Sequence, residues 1–133
     1  MTPPVVEGGT HIAGIGVDAV DVERFRTVLS RRPALSRRLF TDEELAYANQ
    51  ASDPAQRLAA RFAAKEAVAK AMGTGIWQLH FANIEVTRRP GHPPTVALHG
   101  QAQHIARAHG VTGWRLSITH TDLVAVAFAL AVN

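Results

Sequence analysis

The residues best suited to chemistry lie in one stretch, Arg61-Phe-Ala-Ala-Lys65-Glu66-Ala-Val-Ala-Lys70-Ala-Met-Gly73-Thr-Gly75. The chain carries 14 Lys plus Arg, yet its only lysines are Lys65 and Lys70, on either side of the Glu66 carboxylate. Lysine is a compact, mobile point charge and arginine a rigid fork. Two lysines kept in a chain that otherwise uses arginine are therefore not ordinary solvated charges. Two ammonium groups around one carboxylate on a helical segment suit a site where phosphate and metal meet.

A helical wheel at about 100° per residue places Glu66 about 40° from Phe62, at the edge of an apolar stripe of Ala55, Leu58, Phe62 and Ala69. Lys70 lies beyond it on the same side, and Lys65 and Arg61 lie on the other edge. A carboxylate this close to a buried face needs a partner. Lys70, four residues on, could supply it as a plain helix ion pair, or a metal could. Asp18 is the second carboxylate, directly after the apolar run Gly14-Ile-Gly-Val17. It reads as a ligand at the end of a buried strand, or as the N-cap of the next helix. Two carboxylates without His or Cys partners suit Mg²⁺, which takes oxygen ligands and keeps positions for water and phosphate.

Ser117-Ile-Thr119-His120-Thr121 is a third feature. Ser117 and Thr119 share one strand face and His120 ends the strand; the group could bind phosphate or be a polar strand face with a bonded histidine. Gly73-Thr-Gly75 is a weak phosphate-loop signal, since no Lys-Ser/Thr follows it. The other histidines show no metal-ligand spacing.

These residues need positioning elements. His11 to Val17 reads as a buried first strand, with helical periodicity from about Val20. Thr41-Asp-Glu-Glu44 is a capping box opening a short helix that ends near Gln50. Asp53-Pro54 opens a helix expected to reach about Met72, where Gly73 supplies a left-handed stop. Strands are predicted over Asn83 to Arg89 and Thr95 to His99, joined by a turn at Pro90 to Pro94. A helix over Gly100 to His109 precedes strands Trp114 to His120 and Leu123 to Val132. Strands at the two ends of the chain and helices in its first half argue an α+β domain.

With 133 residues, 47% hydrophobic and 19% charged, the chain fits one globular domain, residues 11–133. Residues 1–10 lack a basic n-region and an apolar core, so they read as a flexible tail rather than a signal peptide, and a cytoplasmic location is expected. No apolar run reaches membrane-spanning length. The absence of cysteine excludes disulfides and thiolate metal sites. The net charge of +3 is uneven: residues 22–40 hold Arg24, Arg26, Arg31, Arg32, Arg37 and Arg38 against Glu23 alone. Such a field draws an acidic partner, the plain alternative being a solvated basic face.

Together, Gly14-Ile-Gly-Val-Asp18, Arg61 to Lys70, Gly73-Thr-Gly-Ile76 and Ser117-Ile-Thr-His-Thr121 resemble the holo-[acyl-carrier-protein] synthases, the short, single-domain class of 4′-phosphopantetheinyl transferases. The resemblance runs from about His11 to the C-terminus. It implies an antiparallel sheet packed against a long central helix, assembled as a homotrimer with the site between subunits. It implies transfer of 4′-phosphopantetheine from coenzyme A to a serine of apo acyl carrier protein, releasing adenosine 3′,5′-bisphosphate, in fatty acid biosynthesis and lipid metabolism or in polyketide synthesis. Asp18 and Glu66 are then the Mg²⁺ ligands, and Lys70 is the lysine near the pyrophosphate. Arg61, Lys65 and His120, with Gly73, Ser117 and Thr119 beside them, are candidates for binding the substrate phosphates. Arg24 and Arg31 lie on the helix where the acidic carrier docks. A small basic α+β nucleic-acid-binding domain is the alternative. It leaves Asp18 and Glu66 without a role and lacks an exposed aromatic platform, so neither nucleic acid nor membrane is an expected partner. A coenzyme A-binding domain without turnover is a third reading.

Overall fold

A computed structural model of the chain describes residues 5–6, 10–75 and 78–133. The elements are β1 (Val5–Val6), β2 (Thr10–Asp21), α1 (Val22–Arg31), α2 (Pro33–Leu39), α3 (Asp42–Asn49), α4 (Pro54–Ala71), β3 (Ile84–Thr87), β4 (Thr95–Leu98), α5 (Gly100–Ala108), β5 (Gly113–His120) and β6 (Val124–Val132). A 3₁₀ turn, Phe81–Asn83, leads into β3. One antiparallel sheet has the order β1-β2-β6-β5, and β3 and β4 form a separate hairpin. This is the expected α+β fold, with α4 laid across the larger sheet.

The alternation in β6 explains how the helix sits. Ala125, Ala127, Ala129 and Ala131 are all fully buried toward the helix, while Val124, Val126, Phe128, Leu130 and Val132 take the other face. From β2, Gly14 and Gly16 face the same way as those alanines. A Cβ built on Gly14 would lie 1.9 Å from the Ala71 carbonyl oxygen, and one on Gly16 would lie 1.9 Å from that of Ala67. Backbone meets backbone there, and only glycine leaves room. Gly16→Ala is therefore expected to cost at least the roughly 1–3 kcal/mol typical of overpacking, because rigid backbone cannot give way as a side chain would. A urea melt unchanged from wild type would contradict that contact.

α4 starts at Pro54 and stops before Gly73, which adopts φ 70, as Asp53-Pro54 and Gly73 predict. Asp53, however, makes no side-chain cap bond. Its two carboxylate oxygens accept from Arg26 Nη1 and Nη2 at 2.5 and 2.9 Å, tying α1 to the start of α4. The Arg26 guanidinium holds the Asp53 carboxyl below the usual range. The Thr41–Glu44 capping box forms as predicted: Thr41 Oγ1 accepts from Glu44 N at 3.1 Å, and Glu44 Oε1 from Thr41 N at 2.9 Å.

Three features differ from the sequence expectation. β2 runs on to Asp21, paired with Val124 of β6, rather than ending at Val17. The N-cap of α1 is consequently Asp21, whose Oδ1 accepts from Arg24 N at 2.8 Å; Asp18 is a strand residue, not a cap. α2, opened by Pro33, was not expected; it is seven residues long and buries none of them fully, so it carries little periodic signal. Of the expected N-terminal tail, Val5–Val6 pairs antiparallel with Thr10–His11, and the rest lies outside the described residues.

The first core cluster lies between α4 and the sheet and extends to β3 and α5. A second cluster gathers Val22, Phe25, Phe40, Ala48 and Leu58 from α1, α3, the start of α4 and the segment between α2 and α3. A row of aromatic rings crosses from one to the other: Phe25 packs on Phe62 at 4.9 Å between centroids, and Phe62 on Phe81 at 5.7 Å.

Candidate active site

Asp18 stands on the helix-facing side of β2, in register with Ala127 of β6. Lys70 reaches down from the last turn of α4 and donates from Nζ to Asp18 Oδ1 at 3.0 Å and to the Val17 carbonyl at 3.1 Å. Glu66 is one turn earlier on the same helix edge, half-buried. Burial pushes its carboxyl above the usual range; the Asp18 charge adds to that push and Lys70 opposes it. The structure thus brings Asp18, Glu66 and Lys70 together. It also replaces the simple i,i+4 ion pair: Lys70 pairs with Asp18, and among the described residues Glu66 has no hydrogen-bond or ion-pair partner.

That arrangement fits a divalent cation. Two carboxylates crowd each other in a partly buried place where the charge of one raises the pKa of the other, and a cation relieves such crowding. The donor set is all oxygen, and among the described residues no cluster of three or more His, Cys, Asp or Glu side chains competes for a softer metal. A site offering few protein oxygens suits Mg²⁺ better than Ca²⁺ or Zn²⁺.

From Asp18 a groove of about 790 Å³ runs along α1 and the aromatic row. Asp18, Val20 and Arg24 line it together with Phe25, Phe62, Leu79 and Phe81, and Arg32 and Arg38 join from the basic segment. Arg24 therefore stands in the groove that contains Asp18. Arg31 is exposed but is not among the lining residues; Arg32 and Arg38 occupy the place expected of it.

A second pocket of about 400 Å³ lies against the opposite edge of α4, lined by Tyr47, Arg57, Arg61, Arg88, Thr119 and His120 among others. Arg61, Thr119 and His120 are thus gathered as the sequence predicts. Ser117 is not with them: it lies on the open sheet face, in register with Phe128. Gly73 lines neither pocket and acts as the helix stop. Arg57 could have been found from sequence, since it precedes Arg61 by four residues on one helix edge. Arg88, in the loop after β3, gave no signal.

Lys65 is a correction. Its side chain is fully buried, and Nζ donates to Glu44 Oε1 at 2.8 Å, to the Phe81 carbonyl at 2.7 Å and to the Ile84 carbonyl at 2.5 Å. All three ammonium protons are taken, so none is left for a phosphate. Glu44 is equally committed, its other oxygen accepting from Val86 N at 3.0 Å.

The family model described as ACPS, 4′-phosphopantetheinyl transferase superfamily, matches residues 14–126. The chain belongs to the 4′-phosphopantetheinyl transferase superfamily. The matched stretch contains both carboxylates, Lys70 and the residues of both pockets. Within the superfamily, the chain is 48% identical over 126 residues to the holo-[acyl-carrier-protein] synthase of Micrococcus luteus, covering 90% of this chain and 91% of that one. The crystal structure of holo-ACP-synthase from Plasmodium yoelii superposes with a TM-score of 0.83 at 32% identity, over 94% of this chain and 98% of that one. The holo-(acyl-carrier-protein) synthase of Bacillus anthracis, solved in complex with CoA (3′,5′-ADP), has a TM-score of 0.75 at 30% identity, over 92% and 97% of the two chains.

Proposed function

We propose that this protein is a Mg²⁺-dependent holo-[acyl-carrier-protein] synthase. It moves the 4′-phosphopantetheine group of coenzyme A onto a serine of apo acyl carrier protein. The new bond joins the serine oxygen to the β-phosphorus, the bond from that phosphorus to the bridging oxygen breaks, and adenosine 3′,5′-bisphosphate leaves. The observation that carries this reading is the meeting of Asp18, Glu66 and Lys70, with Asp18 also lining a groove that Arg24 shares. A cytoplasmic location is part of the same proposal.

Asp18 and Glu66 would hold the metal, which would supply Lewis acidity to the pyrophosphate. Lys70 sits where an ammonium stabilises phosphate charge during displacement. The apolar wall of Phe62, Leu79 and Phe81 gives the uncharged pantetheine arm a dry surface. The pocket of Arg61, Thr119 and His120 takes the nucleotide phosphate. The deciding experiment is incubation with coenzyme A, Mg²⁺ and an apo carrier protein, read by intact mass. A carrier left unmodified, with coenzyme A bound, would reduce the protein to a binding domain.

Arg24 offers a test of docking. Carrier proteins are acidic, and Arg24 lines the groove that holds Asp18. Arg24→Glu is expected to raise KM for the carrier by about tenfold at low salt, with KM for coenzyme A unchanged, and added salt should weaken wild type in the same direction. Equal loss for both substrates would remove the docking assignment.

The homotrimer is part of the same proposal. The sheet face turned away from α4 exposes Ile15 by 60%, Val17 by 54% and Phe128 by 41%, large apolar side chains side by side on β2 and β6. The groove and the arginine pocket share no lining residue. Packing copies through this face would cover the apolar patch and let one copy's pocket complete its neighbour's groove. Phe128→Glu is expected to give a folded monomer without transfer activity, measured by light scattering and circular dichroism. A trimer that survives the substitution would assign the face elsewhere.

A further inference from the structure

Leu79, His80 and Phe81 form one wall of the groove that Asp18 lines. Leu79 and Phe81 are buried, and His80 between them is exposed. The backbone at His80 is extended, so its side chain turns away from its two buried neighbours. The segment is held firmly. The Phe81 carbonyl accepts from Lys65 Nζ at 2.7 Å, and the His80 carbonyl accepts from Asn83 N at 2.9 Å. The Phe81 ring packs on Phe62 at 5.7 Å between centroids. Lys65 directly precedes Glu66, and Phe62 is one turn before it on the same helix edge. These clamps therefore fix His80 beside the turn of α4 that carries Glu66. Among the described residues, the His80 imidazole has no ion-pair partner.

The transfer leaves one proton to be placed. The carrier serine gives it up as its oxygen bonds to phosphorus, and a base matched to neutral pH takes it best. The other titratable side chains lining the groove are Asp18 and Asp21 from β2, Arg24 from α1, and Arg32 and Arg38 beside and on α2. Guanidinium groups do not accept protons in proteins. Asp18 accepts from Lys70, and Asp21 Oδ1 accepts from Arg24 N. The Glu66 carboxyl is raised by burial and by Asp18, but it is the second carboxylate of the proposed cation site. His80 is the one imidazole that lines this groove, and imidazole is the side chain that exchanges a proton near neutrality.

We propose that His80 is the general base of the transfer, taking the serine proton on a ring nitrogen. The serine oxygen bonds to the β-phosphorus while its proton passes to His80. The broken phosphorus–oxygen bond leaves its electron pair on the departing adenosine 3′,5′-bisphosphate, and His80 then returns its proton to solvent. The inference rests on the proposed transfer reaction.

The test is steady-state transfer by wild type, His80→Gln and His80→Ala, with and without added imidazole, beside calorimetric binding of coenzyme A. Both substitutions are expected to lower kcat about a hundredfold, the low end of what a positioned base supplies. Coenzyme A affinity and the melting temperature should not change, because the side chain is exposed. Imidazole should restore part of the His80→Ala rate and leave wild type unaffected. The restored rate, as a fraction of wild type at each pH, should follow the neutral form of the added imidazole. Glu66 remains in both proteins, so its own titration cancels in that ratio. The base assignment is overturned if His80→Gln turns over like wild type, if imidazole restores nothing, or if coenzyme A affinity falls with the rate. Wild type that transfers while His80→Gln matches it removes the base alone; wild type that transfers nothing removes the transfer reading and the base with it.

Discussion

Glu66→Gln is expected to lower transfer at least about a hundredfold, since even residues that only orient metal ligands are worth 10–100-fold. The substitution keeps the size of the side chain and one oxygen. It removes the negative charge that the proposed cation site needs beside Asp18. Stability should not fall with it. The Glu66 carboxyl is pushed above its usual range by burial and by Asp18, so its charged form is less favourable in the folded protein than in the free chain. At neutral pH the charge therefore works against the fold, and its removal should leave the melting temperature equal or higher. Activity lost at constant or rising stability separates a ligand role from a structural one. Rates measured across a Mg²⁺ series, beside a thermal melt, check both halves. Near-normal turnover at limiting Mg²⁺ would leave Glu66 without a metal to hold.

Lys65→Met is expected to destabilise the protein by about 3–5 kcal/mol, because removing one partner of a buried pair strands the other. Here the stranded groups are Glu44 Oε1 and the carbonyls of Phe81 and Ile84. Burial depresses the Lys65 pKa, and Glu44 opposes it. Methionine matches the stem but supplies no donor, and the loss is a large share of the roughly 5–15 kcal/mol a domain possesses. Urea unfolding measures it. A variant that unfolds at the wild-type midpoint yet binds coenzyme A poorly would put Lys65 back at the substrate.

Why the sequence put Glu66 and Lys70 on one helix edge but did not foresee the burial of Lys65 is a matter of what periodicity encodes. The wheel put Lys65 and Arg61 on one edge of α4, and both are buried there. Their destinations depend on α3 and the Phe81–Ile84 segment, which reach that edge only after the chain folds back. A capping glutamate that also receives a lysine from another helix has no local signature. Asp18 stands out in the sequence because it follows glycines and β-branched residues. Its strand was cut short, because Ala19 and Val20 suit a helix start as well as a strand. The Pro54 start and Gly73 stop of α4 were legible because their chemistry is local. The Tyr47–Arg57–Arg61 group was not, since Tyr47 comes from a different helix.

The contact between α4 and the sheet is built from Gly14, Gly16, Ala67, Ala71 and the four alanines of β6. Alanine and glycine have no rotamers to lose or to exchange. The gap between the strand that carries Asp18 and the helix that carries Glu66 is therefore set by backbone thickness, with no side-chain torsion able to widen it. Heating, or repacking elsewhere in the core, has no soft coordinate there along which to loosen the two carboxylates. Freedom to change what the groove accepts lies in its aromatic wall and arginine rim, where side chains can swing, while the spacing of the carboxylates is set by the main chain.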